Sequence, residues 1–82
     1  MYLEILTPET TFYSGEADSI TLPGTLGSFQ ILNNHAPIIS SLKKGMLSFL
    51  AEGRIQEMEV VDGFVEISHN KVTVCLDSIK GL

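Results

Sequence analysis

The chain has 82 residues, 44% of them hydrophobic, and its five basic side chains face ten acidic ones for a net charge of −5. That is one small domain, too apolar to be disordered. The acidic balance, with Lys43-Lys44 the only adjacent basic pair, excludes a phosphate-backbone binder and disfavours adsorption to anionic lipid.

Along the chain the pattern is strand and turn. Leu3 and Ile5 flank Glu4, a half-buried strand ended by Thr7-Pro8. Thr10 to Tyr13 is a β-branched and aromatic run, closed in this reading by Ser14-Gly15. Ala17, Ser19 and Thr21 alternate with Asp18, Ile20 and Leu22, and Pro23-Gly24 punctuates the end. Phe29 and Ile31 share one side of the next strand, and Ile38 to Leu42 follows Pro37, which denies Ala36 a helical conformation.

Gly45 opens the run Met46 to Ala51, apolar on both faces, and Glu52-Gly53 predicts a hairpin into Arg54–Val61. Asp62-Gly63 reads as a second turn or a bulge. Val65 and Ile67 alternate with Glu66 and Ser68, His69-Asn70 turns the chain, and Val72, Val74 and Leu76 line one face of the last strand. Asp77 to Leu82 has room for one helical turn. Regular turn signals without a helical period predict an all-β sandwich or barrel.

No chemistry-bearing constellation accompanies this pattern. The single Cys75 forms no internal disulfide and no cysteine cage, and inside Val72–Leu76 it reads as a small packed residue. Apolar runs such as Met46–Ala51 fall far short of the ~20 residues of a membrane helix. No charged segment leads into an apolar one as in a signal peptide, so a soluble intracellular protein is expected.

His69 is expected in an exposed turn, and His35 within Asn33–Pro37 to hold that turn by hydrogen bonds to nearby backbone carbonyls. Neither has ligand-spaced partners for a metal. Glu57 and Glu59 project from one strand face, as a solvated edge does. Gly24 to Gly27 lacks the lysine and following helix of a phosphate loop and reads as a turn with glycines at positive φ. No cofactor and no catalytic residue are expected.

The blocks Leu3–Glu9, Phe12–Glu16, Gly27–Met46, Val61–Ile67 and Asn70–Val74 together resemble, collinearly, the epsilon subunit of F-type ATP synthases. Phe12, Ser14-Gly15, Gly24, Gly27, His35-Ala-Pro37, Gly45-Met46, Gly63, Glu66 and Val72–Val74 carry the match. The resemblance implies a flattened sandwich of two roughly five-stranded sheets, a non-catalytic rotor subunit beside the foot of the gamma subunit and on the polar loops of the c-ring. It sets the complex at the cytoplasmic face of the bacterial inner membrane, coupling proton or sodium flow to ATP synthesis.

It also places Thr7, Phe12, His35 and Ser40 toward the gamma subunit and Gly27, Ser28 and Phe29 toward the c-ring. Relatives often carry an acid where Ser28 stands, and the two helices that follow the domain in them lie beyond Lys80-Gly81. The expectation is a naturally short form that neither binds ATP nor inserts an inhibitory helix. The alternative from another class is a free-standing sandwich that binds peptide or carbohydrate; a cupin-like enzyme would need clustered His and Glu ligands.

Overall fold

The structure, a computed structural model, describes residues 1–80. They form ten strands and, among themselves, no helix: β1 (Tyr2–Leu6), β2 (Thr11–Glu16), β3 (Ser19–Gly24), β4 (Gly27–Leu32), β5 (Ile38–Leu42), β6 (Gly45–Ala51), β7 (Arg54–Val60), β8 (Gly63–Ser68), β9 (Lys71–Leu76) and β10 (Ile79–Lys80). Hydrogen bonding groups β10-β7-β6-β3 with β4 as one five-stranded sheet, and β5-β8-β9-β1-β2 as the other. One residue pair, Gly24 with Leu42, joins β3 to β5 and makes the ladder continuous. The expected all-β sandwich of two five-stranded layers is therefore the fold.

Period-2 alternation sends one face of each strand inward. The first sheet contributes Ile20, Leu22, Ile31, Leu47, Phe49, Met58 and Val60 to the core, and the second Leu3, Ile5, Val65, Ile67, Val72 and Val74, all essentially inaccessible to solvent. Tyr13 of β2 meets Phe49 of β6 across the interior, ring centroids 4.6 Å apart and planes inclined at 50°. This tilted pair ties the two layers together.

The turns follow their residues. Glu52 and Gly53 take φ of 53° and 74°, and His69 and Asn70 take 52° and 58°. Both pairs make the two-residue connection with two positive φ angles that suits the twist of a hairpin. Asn70 also clamps the far end of the second sheet: its Oδ1 accepts from the Asn34 amide at 2.7 Å and its carbonyl from the Tyr2 amide at 3.1 Å.

Two boundaries differ from the sequence reading. Ser14-Gly15 does not close β2, which runs on to Glu16, because Tyr13 folds its hydroxyl over Gly15 and donates to the Glu16 carbonyl at 3.1 Å. Pro23-Gly24, by contrast, ends β3 as expected. Beyond Thr21, β3 has left the ladder with β6, so the amide hydrogen that proline lacks is not required on that side. Ile79 and Lys80 pair with Val60 and Glu59 as a short strand instead of entering a helical turn; residues 81 and 82 of that stretch lie outside the described residues.

On the outer face of the second sheet, Lys71 Nζ stands 3.2 Å from Glu4 Oε1 and 5.9 Å from the centre of the Tyr2 ring. Half of the lysine side chain is in water, and exposed pairs contribute little. Glu4→Gln is expected to change unfolding free energy by less than about 1 kcal/mol, measured by urea denaturation. A loss above about 2 kcal/mol would show the pair to be structural.

Candidate docking surfaces

The described residues present shallow depressions on the surface. They hold no group of three His, Cys, Asp or Glu side chains placed to bind a metal, and no buried side-chain polar atom lacks a hydrogen-bond partner. What the fold offers is surface, and its chemistry is uneven.

The outer face of the second sheet carries an apolar row. Leu6 of β1 pairs in register with Cys75 of β9, and Cys75 with Phe64 of β8. Phe64 is 48% exposed although it lies between two core-forming strands. Thr7, Pro8, Leu76 and Asp77 complete the rim of a shallow depression of about 380 Å³ around this row. Two residues along the strands the next row runs Glu4, Thr73, Glu66, Ile39. There Ile39, 73% exposed, stands with Pro37 over a second depression of about 400 Å³.

The gamma-facing candidates do not converge on one spot. Thr7 borders the apolar row directly. Phe12 sits at the β-bulge where β2 slips against β1, half-buried and packed on the core. Ser40 is half-buried on the core-facing side of β5, opposite Val65, and its hydroxyl donates to the Ser41 carbonyl at 3.3 Å. His35 lies before the opposite end of β5, its Nδ1 2.8 Å from the Ala36 carbonyl oxygen. From strand rise, Thr7 and His35 are on the order of 15–20 Å apart along the sheet. His35 thus has the turn-holding contact expected of it, and His69 is exposed, with Nδ1 2.9 Å from Ser68 Oγ.

The ring-facing candidates are neighbours in the β3–β4 hairpin but point differently. Gly27 and Ser28 are exposed, whereas Phe29 is half-buried with its ring closed over Gly24. A Cβ on Gly24 would come within 2.8 Å of that ring and of the Gly27 carbonyl oxygen. Gly24 is thus glycine because of crowding and Gly27 because its φ is +133°.

Sequence reasoning overlooked Phe64, Leu6 and Leu26, and it read Cys75 as packed where the structure leaves it half-buried on the outer face. The signal was present for two of them. Phe64 keeps the register of Glu66 and Ser68, and Cys75 that of Lys71 and Thr73, so each is an apolar residue on a polar face.

This geometry has close counterparts. The chain spans 93% of its own length at 40% identity over 76 residues with the ATP synthase epsilon chain of Desulfitobacterium hafniense (strain DSM 10664 / DCB-2), and covers 58% of that relative. With the epsilon chain of Symbiobacterium thermophilum it shares 40% identity over 79 residues, 95% of this chain and 57% of the relative. The chain therefore spans little more than half the length of the curated relatives it matches.

Among solved structures, a chain of the Euglena gracilis mitochondrial ATP synthase superposes with a TM-score of 0.88 at 18% identity, over 95% of this chain and 51% of that one. A chain of the Tetrahymena thermophila mitochondrial ATP synthase central stalk and c-ring gives 0.83 at 15% identity, over 96% and 64%. At those identities the likeness is one of fold. The family described as ATP synthase, delta/epsilon chain, beta-sandwich domain matches residues 1–81. With that match over nearly the whole length and the two-layer fold, the chain belongs to the delta/epsilon β-sandwich family of ATP synthases.

Proposed function

We propose that the chain serves as a non-catalytic central-stalk subunit of an F-type ATP synthase, peripheral to the cytoplasmic face of a bacterial inner membrane. In that role it links the gamma shaft to the c-ring and supports the coupling of proton or sodium transport to ATP synthesis. The observation that carries this reading is the apolar row Leu6–Cys75–Phe64 with Ile39 beside it, on a family domain that offers no catalytic group. A monomer this small leaves such a row open to water only at a cost, and a partner removes that cost.

The row docks the gamma subunit, with Thr7 at its rim. Phe12 supports β1 from the adjacent edge, and Ser40 and His35 shape the strand that presents Ile39. Gly27, Ser28 and the hairpin carrying them approach the ring. Phe29 fixes the hairpin from within.

Affinity capture of the tagged chain from native membranes tests the assignment. Co-purification of gamma and c subunits is expected. Recovery of a glycan or an unrelated peptide ligand, with no stalk subunit, would replace it with the binding-module reading. Ser28 has no charge to contribute, and an exposed ion pair is worth only about 0–1 kcal/mol. Ser28→Glu is therefore expected to change ring affinity less than about fivefold in a solid-phase binding assay. Complete loss of coupled synthesis on Ser28→Ala would refute that weak role.

A further inference from the structure

From Ser19 to Leu42 the chain carries no Asp, Glu, Lys or Arg, although 18% of its residues are charged. That stretch supplies β3, β4 and β5. Within it β4 is an edge of the first sheet, paired with β3 and with no other strand among the described residues.

The direction of its free backbone groups follows from the ladder. The Thr25 amide donates to the Ser41 carbonyl at 3.2 Å, and the Lys43 amide to the Pro23 carbonyl at 2.9 Å. These bonds flank the Gly24–Leu42 pair, so Pro23 and Thr25 face β5 while Gly24 faces β4. Backbone direction alternates along an antiparallel strand. Gly24, Leu22 and Ile20 therefore bond their register partners Gly27, Phe29 and Ile31. The amides and carbonyls of Ser28, Gln30 and Leu32 point away from the sheet. All three residues are exposed, and no hydrogen bond beyond the ladder engages their backbone groups among the described residues.

Such an edge is a template for another strand, and sheets ordinarily guard it with charge, proline, a bulge or a cover. The β2 edge of the second sheet has such guards, since its register slips at Ile5-Leu6 and it ends on Glu16. Strand β4 has neither. Its six residues are uncharged, contain no proline, and pair with β3 without a register shift. Leu32, 55% exposed, adds an apolar side chain at its end.

We propose that β4 pairs with β4 of a second copy of this chain, antiparallel about a twofold axis at Gln30. In that register Ser28 meets the partner's Leu32 and Gln30 meets the partner's Gln30, each pair exchanging two backbone hydrogen bonds. Between them Phe29 lies opposite the partner's Ile31, an aromatic beside a β-branched side chain, which is a favourable cross-strand pair.

The absence of charge selects this occupant. A twofold axis sets a residue against its own copy, so a charge near it opposes a like charge. An uncharged strand avoids that conflict, whereas an edge meant for a foreign strand can carry charge matched to it. One six-residue edge covers far less than the roughly 1,200–2,000 Å² of a stable interface, so the pair is weak and forms at high concentration. Each copy carries a net charge of −5, and salt strengthens the pair by screening that repulsion. The pair uses the edge of the first sheet, away from the apolar row of the second, and holds whichever partner that row takes.

Sedimentation equilibrium of the full chain from about 10 μM to about 1 mM should show a monomer passing to a dimer. Over the same range, hydrogen exchange followed by NMR should slow for the Ser28, Gln30 and Leu32 amides. The Phe29 and Ile31 amides, bonded to β3, should be protected throughout. Gln30→Lys and Gln30→Glu should each weaken self-pairing several-fold, because like charges then meet at the axis. An equimolar mixture of the two variants should restore pairing as a heterodimer. Gln30 is exposed, so the thermal midpoint of each variant should match the wild type.

A chain that stays monomeric at every concentration would overturn the pair. A dimer indifferent to both charges would place the contact on another face and overturn it likewise. Weakening in each variant without recovery in the mixture would refute the axis at Gln30. Protection of the three amides that appears only when purified gamma subunit is added would assign the edge to a foreign strand and refute the second copy, leaving the rotor reading intact.

Discussion

Replacing Gly63 by alanine is expected to destabilise the domain by more than about 3 kcal/mol, a loss in the range reserved for severe core or backbone clashes. Gly63 opens β8 and pairs with Leu42 on one side and Leu76 on the other. A Cβ built there would lie 2.1 Å from the Cys75 carbonyl oxygen, 3.0 Å from the Leu76 Cα and 3.1 Å from the Cys75 carbonyl carbon. All three atoms are backbone, so no rotamer change relieves the overlap. Either β8 or β9 must shift, and both are laddered to further strands.

Domains of this size have ΔG of unfolding of roughly 5–15 kcal/mol, so the variant should lose ~12 °C or more in midpoint. Gly53→Ala is the control. Its φ of +74° imposes strain, but nothing lies within 4 Å of the added carbon, so about 1–2 kcal/mol is expected. Thermal and urea unfolding followed by circular dichroism would measure both. A Gly63→Ala variant within about 1 kcal/mol of the wild type would mean that the β8–β9 approach is looser than described.

The contrast between Gly63 and Gly53 shows which parts of the fold were legible in the sequence. Glu52-Gly53 and His69-Asn70 are local: two residues that tolerate positive φ between two alternating runs specify a hairpin without reference to anything distant. Asp62-Gly63 resembles them on paper, and the sequence left a turn and a bulge both open. In the structure the chain crosses there from the first sheet to the second, and glycine is needed because a backbone distant in sequence comes close.

Pro23-Gly24 was legible as the end of β3. What the sequence did not show is the departure of β3 from β6 beyond Thr21, which leaves no ladder partner on that side for the amide hydrogen that proline lacks. Alternation itself transferred well, and every core residue from Ile20 to Leu22 and from Val65 to Val74 falls on the face it predicts. The proposed docking surface was less legible, since the family resemblance supplied single positions whereas the apolar outer face is made of rows across four strands. Only the register aligns Leu6, Cys75 and Phe64, residues far apart in the chain.

Charging that row is expected to remove gamma binding while sparing the fold. Phe64→Glu places a carboxylate beside Leu6 and Cys75, on a face already in contact with water, so the free domain solvates it and loses little stability. In the complex the same carboxylate would be buried without a partner, which costs several kcal/mol. Aromatic anchors at interface centres carry about 2 kcal/mol or more on truncation, so even Phe64→Ala should weaken binding ~30-fold. Phe64→Glu should abolish binding at micromolar concentrations. Ile39→Asp, one row away and more exposed, should act in the same direction with a smaller effect. Glu57→Lys changes charge on the outer face of the other sheet and should leave gamma affinity within about threefold of wild type, since an isolated exposed charge contributes little. Titration calorimetry with purified gamma subunit, with circular dichroism to verify the fold of each variant, distinguishes the faces. Full affinity in a folded Phe64→Glu variant, with loss in Glu57→Lys, would move the shaft to the first sheet and overturn the assignment of this face.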